Sequence, residues 1–490
     1  MSDPRRWSED YVAHVLRPNF SQAKRYLFKP LLMANKAHAV MLERCGLLEH
    51  SQAKLLLSAL RDIDAAGSRS FAYSERFEDL YFAVESRLIE LAGVDAGGNL
   101  QIARSRNDLD AAMIRMVLRE TILGILEALA DLRRNLIDRA LQNVDSIMPG
   151  YTHNQPAQPT TLAHYLASVI AMLERDARRF HMAFGTVNRS PLGAAAMTTT
   201  GFPIRRELSA ELLGFEGLVV NGIDAVGSSD HALESVNAVL TCESNLSRFN
   251  FDLLTWSTRE VNFLRVPDQF VQISSIMPQK RNPVVLEHVR AKLARAHGGA
   301  LTVLSLARNV PNGDINDVGE HMINPVLSSY TELDEALNLL SSLIETCGFN
   351  TALMLERAGE HFTTATALAD FLVSELKLPF RSAHHITSKV VDLAYARNLS
   401  YRDVNAALVI EAAGKPLEIT DMQIKNALDP QAFIAARRIA GGTAREAILP
   451  FLSDAQTSLE ADERWRRSTN TSLRHAKSLL EAQIEEILEA

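Results

Sequence analysis

The stretch LDAAMIRMVLRETILGILEALADLRRNLIDRALQNVDSIM, residues 109–148, contains no proline, and its reading decides the fold. Ile114, Val117, Leu118, Ile122, Ile125, Leu129, Leu132 and Leu136 recur at steps of three and four. That spacing lays one apolar stripe along a 3.6-residue helix. It predicts a single helix of about 38 residues, roughly 57 Å long at 1.5 Å per residue. Pro149-Gly150 stops it.

Working outward, similar patterns follow. A second helix is expected from Thr161 to about Gly185, a third over Ser229 to Val266, a fourth from Pro283 to about Arg308 and a fifth from about Leu327 to Thr346. Ser190-Pro191-Leu192-Gly193 and the small residues to Gly201 read as a loop. Upstream, Pro30 to Leu48 and Glu75 to Leu91 carry shorter amphipathic patterns. Beyond residue 350 the chain returns to short helices broken at Pro379, Gly414-Lys415-Pro416 and Gly441-Gly442. Alternating β-branched runs are few. The class is all-α: an N-terminal helical domain over 1–105, a central bundle of long helices over 106–350 and a C-terminal helical domain over 351–490.

Composition narrows the function. With 490 residues there is enough chain for a large core. A net charge of −8 and a pI near 6.0, with no Lys/Arg run, argue against a nucleic-acid partner. No run of 18 apolar residues is present, which argues against a membrane partner. Cys45, Cys242 and Cys347 lie far apart without metal-ligand spacing, as expected of free thiols in a reducing compartment. The residues after Met1 lack an apolar signal core, so a cytoplasmic protein is expected.

Chemistry concentrates at three places. Between the third and fourth helices lies Gln272-Ile273-Ser274-Ser275-Ile276-Met277-Pro278-Gln279-Lys280-Arg281-Asn282-Pro283. Hydroxyls at its tip with a cation and an amide donor at its base suit a mobile catalytic loop; a polar interhelical connection would look the same. Ser105-Arg106-Asn107 precede the first long helix, where they can cradle a carboxylate or simply cap the helix. Thr152-His153 occupy a Gly/Pro-bounded loop, where an imidazole can serve as an acid or base or only bond backbone. Glu287, on the helix after the loop, can orient such an imidazole or be merely solvated. Ser105–Asn107 and Thr152–His153 flank the first long helix, so in one chain they lie roughly 57 Å apart. They can serve one small-molecule site only if different copies supply them.

Together these segments resemble the fumarase/aspartase superfamily and, within it, the argininosuccinate lyases. Ser274 to Pro283 is similar to the superfamily's signature loop. Arg104–Asp108, Gly150–His153 with Ala157-Gln158-Pro159, Pro191-Leu192-Gly193, Asp224-Ala225, Pro379–His384 and Gly441–Ala444 resemble the argininosuccinate branch. The resemblance runs in order from about residue 20 to 450. It implies a homotetramer of three-domain subunits, each site shared among three chains, performing β-elimination to fumarate with no metal or organic cofactor. It also implies roles. Ser274 removes the Cβ proton, and Lys280 and Asn282 stabilise the resulting dianion. Ser105, Arg106, Asn107 and Thr152 hold the succinyl carboxylates, and His153, oriented by Glu287, is the second acid/base group.

The departures bear on substrate. Asp314, Gly319 and Met322 stand where argininosuccinate lyases carry the Tyr, Gln and Lys that hold the arginine end. Lys24 replaces an aspartate, Ser229 and Pro156 arginines, and Ile273 a glycine. The expected activity is therefore a carbon–nitrogen lyase acting on an N-substituted L-aspartate such as ethylenediamine-N,N′-disuccinate, with Asp314 on the amine side. A true argininosuccinate lyase is the alternative. An inactive crystallin-like scaffold or an adenylosuccinate lyase fits less well.

Overall fold

The computed structural model describes residues 7–490. Helices α1 (Phe28–Arg44), α2 (His50–Ala66) and α3 (Leu80–Ala92) form the N-terminal part. α3 starts later than its apolar pattern because Asp79 caps it, accepting from the Phe82 N–H at 3.1 Å.

The first long helix, α4 (Arg106–Gln142), begins in a capping box. The Ser105 hydroxyl and the Asp108 carboxylate each accept a backbone N–H from the other's end of the turn. α4 ends at Gln142 and not at Met148. Asn143 and Ser146 close a turn on each other, and Ile147 and Met148 instead open strand β1 (Ile147–Thr152). Pro149 disfavours helical geometry in the residue before it. β1 pairs antiparallel with β2 (Gln155–Thr161), and the expected interhelical loop is thus a hairpin. Gly150 sits at its bulge, where a Cβ would come 2.9 Å from the Gln158 carbonyl oxygen.

α5 (Leu162–Val187) returns along α4: Arg115, near the start of α4, donates to the Thr186 carbonyl at the end of α5 at 2.7 Å. α6 (Asp230–Ser257) runs back up, and Tyr165 near the start of α5 reaches Asp252 near its end at 2.5 Å. α6 stops before the expected Val266, because Thr258 turns its hydroxyl onto the Thr255 carbonyl and Asn262 adopts positive φ. Short strands β3 (Leu264–Arg265), β4 (Gln272–Ile273) and β5 (Arg281–Asn282) follow, with β4 paired to β5. α7 (Val284–Leu306) descends and α8 (Asn316–Thr346) ascends to β6 (Gly348–Phe349), which pairs with β3.

α8 begins eleven residues before the expected Leu327 and carries Pro325 in its interior. An interior proline costs about 3 kcal/mol. Met322, Ile323, Val326 and Leu327 are all buried around it, and their burial at roughly 1.5–3 kcal/mol each outweighs that cost. Gly299 of α7 lets the two helices approach there, since a Cβ would lie 2.9 Å from the Pro325 carbonyl oxygen.

The last third holds α9 (Phe380–Ala396) in a separate small core built from Phe362 to Leu428. The expectation of short helices to the end fails after Gly441. α10 (Arg445–Glu489) is one helix of 45 residues. Ile448, Leu452, Ala455 and Leu459 pack into the bundle core, and Leu480, Ile484 and Ile487 into the N-terminal core. The charged middle that obscures this pattern is itself engaged: buried Arg133 of α4 pairs with Asp462 at 2.5 Å. Among the described residues no helix is long and apolar enough to cross a membrane.

Candidate active site

The up–down order of the bundle gathers the sequence-predicted residues at its two ends. Ser105, Arg106, Asn107 and Asp314 lie at the end where α4 starts and α7 gives way to α8. Thr152–His153, the Ser274 loop and Glu287 lie at the other. With 37 residues in α4, the ends are about 55 Å apart at 1.5 Å per residue.

At the first end the backbone is held by a buried carboxylate. Asp108 accepts from the backbone N–H groups of Ser105 at 3.0 Å, Gly193 at 2.8 Å and Ala195 at 3.0 Å. Burial pushes its carboxyl up, while those donors and Arg104 pull it back. The Ser105 hydroxyl donates to the Asn107 side-chain oxygen at 3.1 Å, and the Asn107 amide donates to the Ala196 carbonyl at 3.1 Å. Arg106 is engaged by internal carboxylates, with Asp79 at 2.5 Å and Glu320 at 3.9 Å.

Sequence reasoning passed over most of this acidic ring. Glu78, Asp79, Asp110, Asp314 and Glu320 line one recess of about 250 Å³ around Arg106. Burial raises the Asp110 carboxyl to about 7; Arg106 opposes the shift, and Asp79, Asp314 and Glu320 add to it. Asp110 was legible, standing four residues from Arg106 on one face of α4. Asp79 and Glu320 come from other helices and left no local signal. Beside the recess, and sharing Asn107, Asp110 and Asp314 with it, lies a smaller cavity of about 60 Å³. Gly319 and Met322 line it, as does Ser229. Lys24 lines neither; its ammonium bonds the Phe71 carbonyl at 3.0 Å.

The other end is exposed and basic. The β4–β5 pairing of Gln272 with Asn282 and Ile273 with Arg281 closes the loop at its base. The Ser274 hydroxyl oxygen accepts from the Met277 N–H at 3.0 Å and the Ile276 N–H at 3.4 Å. Lys280 and Asn282 line a groove with Arg259, Arg281 and Arg290, and among the described residues no Asp or Glu lines it. Arg281 is paired with Asp268 outside it. At the tip Ile276 is 82% exposed. Thr152 leads into the hairpin turn, where His153 and Asn154 have φ of 52° and 59°. Two left-handed residues make the turn type that suits a two-residue hairpin. His153 and Glu287 are both exposed, and among the described residues no hydrogen bond joins them. Nor is there, among those residues, a group of three or more His, Cys, Asp or Glu placed to hold a metal ion.

Comparison with known proteins adds identity to this geometry. The family described as "Lyase" matches residues 13–298, and that described as "Argininosuccinate lyase C-terminal" matches residues 362–435. The argininosuccinate lyase of Methanoculleus marisnigri is 37% identical over 454 residues, covering 92% of this chain and 91% of the relative. Argininosuccinate lyase 1 of Shouchella clausii is 33% identical over 476 residues, 96% of each. The crystal structure of EDDS lyase in complex with formate is 30% identical and superposes with a TM-score of 0.89 over 96% of both chains.

Proposed function

Since the chain belongs to the lyase family of the fumarase/aspartase superfamily, on its argininosuccinate lyase-like branch, and is a carbon–nitrogen lyase, we propose that it cleaves an N-substituted L-aspartate other than argininosuccinate. Ethylenediamine-N,N′-disuccinate is one member of that class. The products are fumarate and an amine, in a cytoplasmic homotetramer whose sites draw on three chains.

In this reading Ser274 takes the Cβ proton, leaving a dianionic aci-carboxylate. Lys280 and Asn282 stabilise that charge, which then expels the amine as the C–N bond breaks and its carbon becomes half of the new double bond. A serine hydroxyl is a poor base until its alkoxide is stabilised. The observation that carries the reading is the placement of Ser274 Oγ under the Met277 and Ile276 N–H groups, in a loop whose flanking groove is lined by Lys280, Arg259, Arg281 and Arg290. His153 returns a proton to the departing amine, and Glu287, which among the described residues of one chain does not bond it, orients it in the assembled site. Ser105, Asn107 and Thr152 hold the succinyl carboxylates. Arg106 joins them by exchanging part of its pairing with Asp79 for the substrate. Because the required residues sit at opposite ends, an antiparallel neighbour brings its basic loop to the acidic end of this chain.

Identity to argininosuccinate lyases favours arginine as the alternative amine. Following fumarate absorbance with argininosuccinate, ethylenediamine-N,N′-disuccinate and N-alkyl aspartates separates the two. Fumarate from the non-arginine substrates at higher kcat/KM supports the proposal. Efficient turnover of argininosuccinate alone refutes it.

A further inference from the structure

The small cavity beside Asn107 differs in character from the acidic recess. Its walls are aliphatic: Ile114 and Val117 from α4, and Val318, Met322 and Val326 from α8. Its rim carries Asp110 and Asp314, and among the described residues no Lys or Arg lines it. Asn107, Ser228, Ser229 and His231 interrupt the apolar wall. His231 is 8% exposed, lines the cavity, and among the described residues its Nδ1 has no hydrogen-bond partner. Burial and then the nearby Arg115 keep this imidazole neutral. Buried polar atoms are normally satisfied, and a lone unsatisfied one in a cavity wall marks where a ligand atom can complete the set.

Chemistry restricts what can enter. A carboxylate on the entering group would face Asp110 and Asp314, which Arg106 offsets only from the neighbouring recess, where it is already paired with Asp79. A guanidinium would be stripped of water among aliphatic side chains without a planar acceptor beyond the rim. An ammonium at the rim meets carboxylates, and an uncharged apolar group behind it meets Ile114, Val318 and Met322. Gly319, whose Cα faces open space, widens the passage.

Resting on the proposed carbon–nitrogen lyase reading, we infer that the amine this enzyme releases or adds is a cationic amine bearing one uncharged, mainly apolar substituent, which the cavity between α4 and α8 accepts beside His231. The substituent carries no carboxylate. Argininosuccinate and the disuccinate are both poorer fits than an N-alkyl aspartate with a short, branched chain, since a cavity of about 60 Å³ is well below the roughly 150 Å³ that holds a benzene ring.

The test runs the full-length enzyme in the addition direction, following loss of fumarate with methylamine, benzylamine, isobutylamine, arginine, ethylenediamine and N-(2-aminoethyl)aspartate. Isobutylamine is expected to exceed benzylamine, arginine and the aminocarboxylate in kcat/KM by at least tenfold. Gly319→Leu narrows the cavity while favouring the helix; it should lower the isobutylamine-to-methylamine ratio at least tenfold without raising the KM for fumarate. Met322→Lys should act the same way through charge. A preference for the carboxylate-bearing amine, or a ratio unmoved in both folded variants, overturns the inference and leaves the lyase reading standing. A preference for arginine overturns the non-arginine reading as well. Absence of addition with every amine, together with no fumarate from any N-substituted aspartate, overturns the premise itself.

Discussion

The two ends of the long-helix bundle are built on opposite terms. Around Asn107 the chain is ordered by a buried carboxylate, and the surrounding recess is acidic. Around Ser274 the loop is exposed, its groove is basic, and few side chains bond one another. An elimination to a dianion needs cations at the carboxylates and acceptors at the leaving ammonium. Among the described residues the acidic recess has Arg106 as its one cation, already paired with Asp79 and Glu320, the basic groove is lined by no carboxylate, and α4 keeps the two about 55 Å apart. On the proposed reading, the charge difference along one subunit is what antiparallel copies use to assemble a site with both.

The comparison can be broken most severely at the basic end. Ser274→Ala removes the proposed base and should cut turnover by at least about a hundredfold, the lower end of what general-base groups contribute. Analytical ultracentrifugation should show the oligomer unchanged. Near-normal activity would refute the base assignment.

At the acidic end the largest expected effect is on stability. Asp108→Ala strips an acceptor from the N–H groups of Ser105, Gly193 and Ala195 in a buried setting. Unsatisfied groups of this kind cost about 1–3 kcal/mol. A denaturant midpoint indistinguishable from wild type would show that the carboxylate does not order this end.

A subtler effect concerns pH. Asp110 titrates near 7 in the folded protein, against an ordinary 3.8. Between those values the folded state holds a proton that the unfolded chain has released, so stability should fall as pH rises through the window. Asp110→Asn should flatten the dependence of the melting temperature between pH 4 and 7. An unchanged slope would assign that dependence to other groups.

Much of the fold was legible because burial in a bundle imposes a 3.6-residue period, and α4, α5 and α7 lie within a few residues of their patterns. The failures share a cause. α8 runs through Pro325 because its tertiary packing outweighs a local penalty. α10 is long because its charged centre finds partners on α4, and an ion pair such as Arg133–Asp462 leaves no periodic trace. α6 ends early where Thr258 and Asn262 bond locally. The candidate residues at the bundle ends could be read as motifs. Of the acidic ring around Arg106 only Asp110 had a local signal, since Asp79 and Glu320 reach it from segments that meet α4 only on packing.

The central claim, that one site draws on both ends through different copies, is tested most directly by mixing Ser274→Ala subunits with Asn107→Ala subunits. Each variant alone should be nearly inactive. In randomly mixed oligomers, a site that takes its loop and its cradle from different chains is intact about one time in four, so activity should recover toward a quarter of wild type. No recovery in oligomers verified to contain both chains would contradict the account.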